Sequence, residues 1–185
     1  AVFERNAFPA PAAAHKVGEA TVEIGAHYLS HTLQLDDLLE RTQMRKFGLR
    51  LFFGSSGHTD LAKADELGAS RLLPAISYQL DRGVLENDLA RILLASGVAV
   101  RDACVAKEIE LNVSGHAHRI RLREHDREYD ISCNWVVDAS ARAATLKRTL
   151  GLARPSGHRM CAAWFRLDAP ISVDDWSDDT AWKAR

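Results

Sequence analysis

A few acids and cations, set among small residues, carry the chemistry this sequence can do. Trp135-Val136-Val137 is a short apolar run that ends in Asp138, then Ala139, Ser140, Ala141 and Arg142. An acid at the carboxyl end of a buried parallel strand faces the crevice where open α/β sheets bind ligands. Small residues after it let backbone approach a phosphate, and the next helix offers its positive N-terminus. Val2-Phe3 ends in Glu4, an acid placed to accept hydrogen bonds from a ribose if the run is a second strand. Lys16 lies beside the Gly18 turn, where it could face a phosphate or an isoalloxazine edge. Gln79 and Arg82 fall at a strand–helix junction. A cation is disfavoured in a first helical turn, so Arg82 favours a nearby anion. Arg50 projects from a strand on the side opposite its apolar residues, toward a cavity or solvent. Each residue also has an ordinary reading: a strand-to-helix turn, a solvated lysine, an exposed first-turn charge. His116 and His118 flank a turn with no partner cluster, so no metal site is expected.

The elements that must position these groups follow from periodicity. Thr21 caps a helix over 22–33, and a short helix covers 36–42. Phe47, Leu49, Leu51 and Phe53 share one face of a strand over 46–53, with Lys46, Gly48, Arg50 and Phe52 on the other. Residues 54–70 form a polar loop with a short helix around 61–67. A strand over 72–79 feeds a helix from Asp81, its N-cap, to about Ser96. Leu85, Leu89, Ile92 and Leu93 make that helix's core stripe, and Gly97 stops it. A short strand covers 98–101. Then Val105, Ile109, Leu111 and Val113, Ile120 and Leu122, and Tyr129, Ile131 and Cys133 alternate with polar residues. They predict an antiparallel three-strand meander whose arginines line a wet face. The meander feeds the buried strand 135–138 and a helix over 143–150. A further strand over 159–167 enters a different sheet.

The composition excludes some classes. The 185 residues hold 24 Lys and Arg against 25 Asp and Glu, a net charge of −1, which argues against a nucleic-acid partner. Cys104, Cys133 and Cys161 form no paired motif and read as reduced thiols of a cytoplasmic protein. No apolar run approaches the roughly 18 residues a membrane span needs. The abrupt start at Ala1 and the end after Trp182 suggest a fragment of a longer protein.

Taken in order, these stretches resemble the FAD-binding domain of the flavin-dependent monooxygenase and halogenase superfamily, lacking its first strand and phosphate-loop helix. Val2-Phe3-Glu4-Arg5 is similar to the second strand, whose acid holds the adenosine ribose. Lys16-Val17-Gly18-Glu19-Ala20-Thr21 resembles the segment that tryptophan halogenases lay along the flavin. Gln79 to Leu89 resembles the helix start whose arginine or glutamine meets FAD. Val105 matches a backbone contact to adenine. Asp138-Ala139-Ser140-Ala141-Arg142 resembles the motif at the ribityl and pyrophosphate, with Ala141 where the family usually has glycine. The resemblance therefore implies FAD contacts at Glu4, Arg5, Lys16, Val17, Gly18, Glu19, Gln79, Arg82, Val105, Asp138, Ala139 and Ala141. The halogenase lysine position falls on Arg50, and arginine, always protonated, is a poor replacement for a reactive amine.

The implied fold is α/β: an incomplete Rossmann-like FAD-binding domain with the meander over 1–157, and the start of a substrate-domain sheet over 158–185. Residues 46–80 contribute to the substrate side. The implied function is an FAD-dependent oxidoreductase of monooxygenase type acting on an aromatic or other apolar small molecule. NAD(P)H or a flavin reductase would supply electrons, and the fragment alone would be inactive. The alternatives are a flavin-dependent halogenase, a prenyl-chain reductase and a degenerate, non-catalytic flavoprotein.

Overall fold

The structure is a computed structural model that describes every residue except 14–17, 55–59, 69–73, 113–114, 166 and 185. The chain divides into two compact units. One comprises Ala1–Ala14 and Gly83–Cys161, the other His15–Arg82 and Ala162–Arg185.

In the first unit β1 (Val2–Phe3) pairs in parallel with β6 (Val100–Arg101), Val2 opposite Val100. Helix α3 (Arg82–Ala95) leads into β6 through Gly97, whose φ of +79° suits glycine. The loop after β1 is tied to this helix. Asn87 exchanges two 2.7 Å hydrogen bonds with the backbone of Ala10, and Asp102 accepts one from the Phe8 amide at 2.7 Å. The loop also passes so close to α3 that a Cβ on Gly83 would overlap the Pro11 carbonyl. The expected core stripe of α3 is therefore displaced. Gly83, Leu85, Asp88 and Ala90 are buried, while Ile92 is 39% exposed. Close approach to a loop backbone selects small residues where periodicity alone selects large ones.

The meander forms in the expected strand order, but its first strand stops at Glu110, short of Leu111, and Val105 turns to the face opposite Ile109; Val113 lies outside the described residues. Strands β7 (Cys104–Glu110), β8 (His118–Glu124) and β9 (Arg127–Cys133) pair antiparallel in sequence order. Cys104, Ile120 and Leu122 form the core, with Phe3, Ile109, Tyr129, Ile131, Cys133 and Val136 packed against it. Strict alternation from Cys104 would put Ile109 on the opposite face. A bulge between Ala106 and Glu108 corrects the phase, so Cys104 and Ile109 both face the core. On the wet face Arg119 pairs with Glu110 at 2.8 Å and Arg121 with Asp130 at 3.1 Å. Exposed pairs of this kind add little stability, but they compensate the charges of Arg119 and Arg121.

The stretch 135–138 differs from expectation. It joins no ladder among the described residues. Trp135 and Val137 are 87% and 88% exposed, and only Val136 packs on the core. Apolar character supplies a reason to be buried, but a strand also needs a neighbour to take its amide and carbonyl groups. Beyond it a short turn precedes α4 (Thr145–Thr149), stopped by Gly151 at φ +65°.

In the second unit α1 (Glu23–His27) runs into a π-helical turn at Tyr28–Thr32, and α2 spans Asp36–Thr42. Thr21 does not cap α1. Val22 holds that position, and the Thr21 hydroxyl has better partners in β5 (Ser77–Gln79), where it accepts from the Tyr78 amide at 2.7 Å. The single strand expected over 46–53 is two. β2 (Met44–Lys46) pairs with β5, and β3 (Arg50–Phe53) pairs with β4 (Asp65–Gly68) in a separate antiparallel hairpin. β4 replaces the helix expected around 61–67, of which one 3-10 turn at Leu61–Lys63 remains. β5 is shorter than expected; Leu72 and Leu73 lie outside the described residues.

The faces of the hairpin also reverse. Phe47, Leu49, Leu51 and Phe53 are 44–62% exposed, while the Arg50 and Phe52 side meets Trp182. The expected strand over 159–167 is absent among the described residues, which run without regular structure to a 3-10 turn at Val173–Trp176 and helix α5 (Thr180–Lys183). Asp179 caps α5 by accepting from the amides of Ala181 and Trp182.

Candidate functional site

In the second unit the backbone brings two of the sequence-predicted stretches together. Gly18 has a φ of +90°, a turn that glycine adopts without strain. The chain then pairs with β5. Ala20 bridges Gln79, the Leu80 amide donates to the Glu19 carbonyl, and the Thr21 amide donates to the Tyr78 carbonyl at 2.9 Å. Gly18-Glu19 and Gln79 therefore lie on adjacent strands. Glu19 is 7% exposed. Lys16 and Val17 lie outside the described residues. Arg82 opens α3, as expected.

Two groups that periodicity passed over hold this centre. Lys46 ends β2 and its ammonium donates to the Thr21 carbonyl at 2.5 Å. Gln43, buried, accepts the Asp81 amide on Oε1 at 2.6 Å. Beneath them buried Tyr78 donates its hydroxyl to Glu40 at 2.5 Å, and Glu40 also accepts from Arg45 at 2.9 Å. Arg45, then Tyr78, hold the Glu40 carboxyl below its usual range. Burial, then Glu40, pushes the Tyr78 hydroxyl up to about 12. A phenol whose native pKa is raised keeps its proton while the unfolded chain loses it. That contribution is whole below about pH 10 and is lost as pH rises toward about 12. The expected result is an alkaline unfolding step in that window that Tyr78→Phe removes, read by circular dichroism.

Arg50 is not a free cation facing a cavity. Its Nε donates to Glu66 at 2.5 Å, and its guanidinium lies 4.9 Å from the Trp182 ring centroid and 5.4 Å from that of Phe52. The signal that could have separated Lys46 from Arg50 is Glu66, directly opposite Phe52 in the hairpin register, but the sequence gives no cue to that pairing.

In the first unit Glu4 sits at the end of β1. Its Oε1 accepts both the amide and the side-chain nitrogen of Asn6 at 2.8 Å. Arg5 follows, exposed. Val105 is opposite Arg123, on the charged face of the meander. Asp138 shapes its own turn. Oδ1 accepts from the Ser140 amide at 2.9 Å and Oδ2 from the Leu146 amide at 2.8 Å, and these Ser140 and Leu146 donors hold its carboxyl below the ordinary range. The Ser140 hydroxyl and the Lys147 amide also donate to this carboxylate, so it is engaged largely within its own turn. Ala139 is exposed beside it.

Ala141 has a φ of +51°, the left-handed conformation, which costs a non-glycine residue about 1–2 kcal/mol. An ordinary Ala→Gly exchange in a helix destabilises by about 0.5–1 kcal/mol. Ala141→Gly is expected to reverse that sign, raising the unfolding free energy by up to about 1 kcal/mol in denaturant titration, because relieved strain exceeds the added freedom of the unfolded chain.

Among the described residues no helix is long and apolar enough to cross a membrane, and no cluster of three His, Cys, Asp or Glu side chains is arranged to hold a metal.

No family model matches the chain. A flavin-dependent halogenase of Dictyostelium discoideum, chlA, is 24% identical over 177 residues, covering 83% of this chain and 29% of that protein. The solved flavoprotein/dehydrogenase of Cytophaga hutchinsonii superposes with a TM-score of 0.63 at 20% identity, over 85% of this chain and 37% of its own. The halogenase PltM, solved with phloroglucinol and FAD, superposes with a TM-score of 0.61 at 17% identity, over 80% of this chain and 31% of its own. The chain thus spans under two fifths of each of these relatives. Over the span it covers, it is similar in sequence to a flavin-dependent halogenase and shares the fold of halogenases and related flavoproteins.

Proposed function

We propose that this chain is the flavin-contacting part of an FAD-dependent oxidoreductase that acts on an aromatic or other apolar small molecule. The observation that carries the reading is the pairing of the Gly18-Glu19-Ala20-Thr21 segment with Gln79 and Leu80, with the Lys46 ammonium drawn onto Thr21. The described residues fit the cofactor. Gly18 supplies a turn with no heavy atom within 4 Å of where a Cβ would stand. Glu4 keeps Oε2 as an acceptor for a ribose hydroxyl. Ala141 holds the left-handed backbone conformation that the glycine usual at this position of the family would adopt without strain. Bound FAD would supply the redox chemistry with oxygen. The residues of this chain would orient it and shield it from water.

Within this reading, Lys46 favours halide transfer as the second possibility. Arg50 is committed to Glu66 and cannot readily lose a proton. Lys46 carries an amine beside the segment that would lie along the flavin. Electrons would come from NAD(P)H or a reductase.

The test is the visible spectrum of the full-length parent protein, with a titration by FAD. Flavin bands released on denaturation support the reading. A parent protein that takes up no flavin from excess FAD overturns it. Halide dependence of the product then separates halogenation from hydroxylation.

A further inference from the structure

Trp182 is the largest fully buried side chain, 1% exposed, yet it sits on a helix of four residues. Packing of that depth is unusual for so short an element, since a helix this short has almost no stability of its own. The indole is held as a bound aromatic ligand would be. The Arg50 guanidinium covers its face at 4.9 Å, and the Phe52 ring lies 6.5 Å away, tilted by 39°. Glu66, its side chain 11% exposed, fixes Arg50, and Asp174 adds to the field on the guanidinium. The fit is incomplete at one atom: the buried indole Nε1 has no hydrogen-bond partner among the described residues. A group selected only for packing gains nothing from a polar atom it cannot satisfy.

We propose that the Arg50–Phe52 shelf of the β3–β4 hairpin is a subsite for an electron-rich aromatic ring, and that Trp182 plugs it as an autoinhibitory contact. Residues 173–183 are then a strap, closed in this structure. A phenol or indole opens it by taking the place of Trp182 against Arg50. The site rests on the reading above only in taking that ring to be the substrate. Because the plug is tethered, its effective concentration is on the order of millimolar, so free ligand competes in the millimolar range. A cation–π shelf prefers aromatic rings to saturated ones of equal size, which gives the displacement its signature.

The experiment uses the full chain without flavin. Hydrogen exchange by mass spectrometry follows residues 173–184 during titration with indole, phenol and cyclohexanol, with β7–β9 as internal reference. Indole and phenol are expected to accelerate exchange of the strap at least tenfold while cyclohexanol does not, with the reference strands unchanged. Trp182→Leu, which removes the tethered competitor, is expected to bind phenol at least tenfold more tightly than the natural chain by calorimetry. Strap exchange unchanged up to the solubility limit of both aromatics overturns the proposal, whether or not the leucine variant folds. Equal acceleration by cyclohexanol also overturns it. Failure of the flavin titration leaves these outcomes intact, so the two readings fail separately.

Discussion

On the proposed flavin-dependent function, Lys46→Met is expected to lower product formation at least ~100-fold, the usual scale for loss of a positioned acid–base group, while the affinity for FAD falls by much less. Lys46 is half-buried and its ammonium donates to the Thr21 carbonyl at 2.5 Å. Methionine keeps the length of the side chain and its packing but removes the charge and the proton. Lys46→Arg separates two roles. It keeps a cation that can donate to Thr21 but supplies no amine that can give up a proton near neutral pH. A role in anchoring the segment predicts that arginine rescues turnover. A role for the amine in the reaction predicts that arginine is as poor as methionine. Single-turnover kinetics with reduced flavin, alongside the flavin affinity of each variant, distinguish these cases. Full activity in Lys46→Met would remove Lys46 from the site altogether.

Gly83→Ala is expected to destabilise the first unit by at least the upper end of the about 1–3 kcal/mol seen when well-packed sites are overfilled. The added methyl group would overlap the Pro11 carbonyl, with the Ala12 Cα also 3.3 Å away. Both are backbone atoms, so no side chain can swing aside. Relief requires the loop over 5–12 to leave α3, which would break the Asn87–Ala10 and Asp102–Phe8 hydrogen bonds. Gly25→Ala provides the contrast. A Cβ there meets only the Val22 Cγ2 at 3.9 Å, inside α1. Higher helix propensity should stabilise that variant by up to about 1 kcal/mol. Urea denaturation of the two variants, compared at constant m, checks both signs. A Gly83→Ala variant as stable as the natural chain would show that the loop does not pack on α3 as described.

Local pattern carried much of this protein. The meander was legible because three runs of alternating residues, joined by turn-forming ones, leave an antiparallel sheet few other registers that bury Cys104, Ile120 and Leu122 together. Helix α2 and the stops at Gly97 and Gly151 were legible for the same reason, since capping and left-handed turns are decided within a few residues. The order of short motifs alone points to the flavin-dependent family, and the similarity in sequence and fold bears that out.

Tertiary structure decided the rest, wherever a choice depended on a distant partner. The alternation over 46–53 marked two faces but could not say which one Trp182, more than a hundred residues later, would cover; the Arg50 face was covered and the apolar face was left exposed. Thr21 carried a good capping side chain, yet two strong partners in β5 outweighed a local cap. The run at 135–137 had the composition of a buried strand, but hydrogen-bond pairing is supplied by a neighbour and not by the run itself. Lys46 and Arg50 differ little as symbols four residues apart. They became different groups only when Glu66 closed on one and Thr21 on the other, because the state of a charge is set by what surrounds it in space.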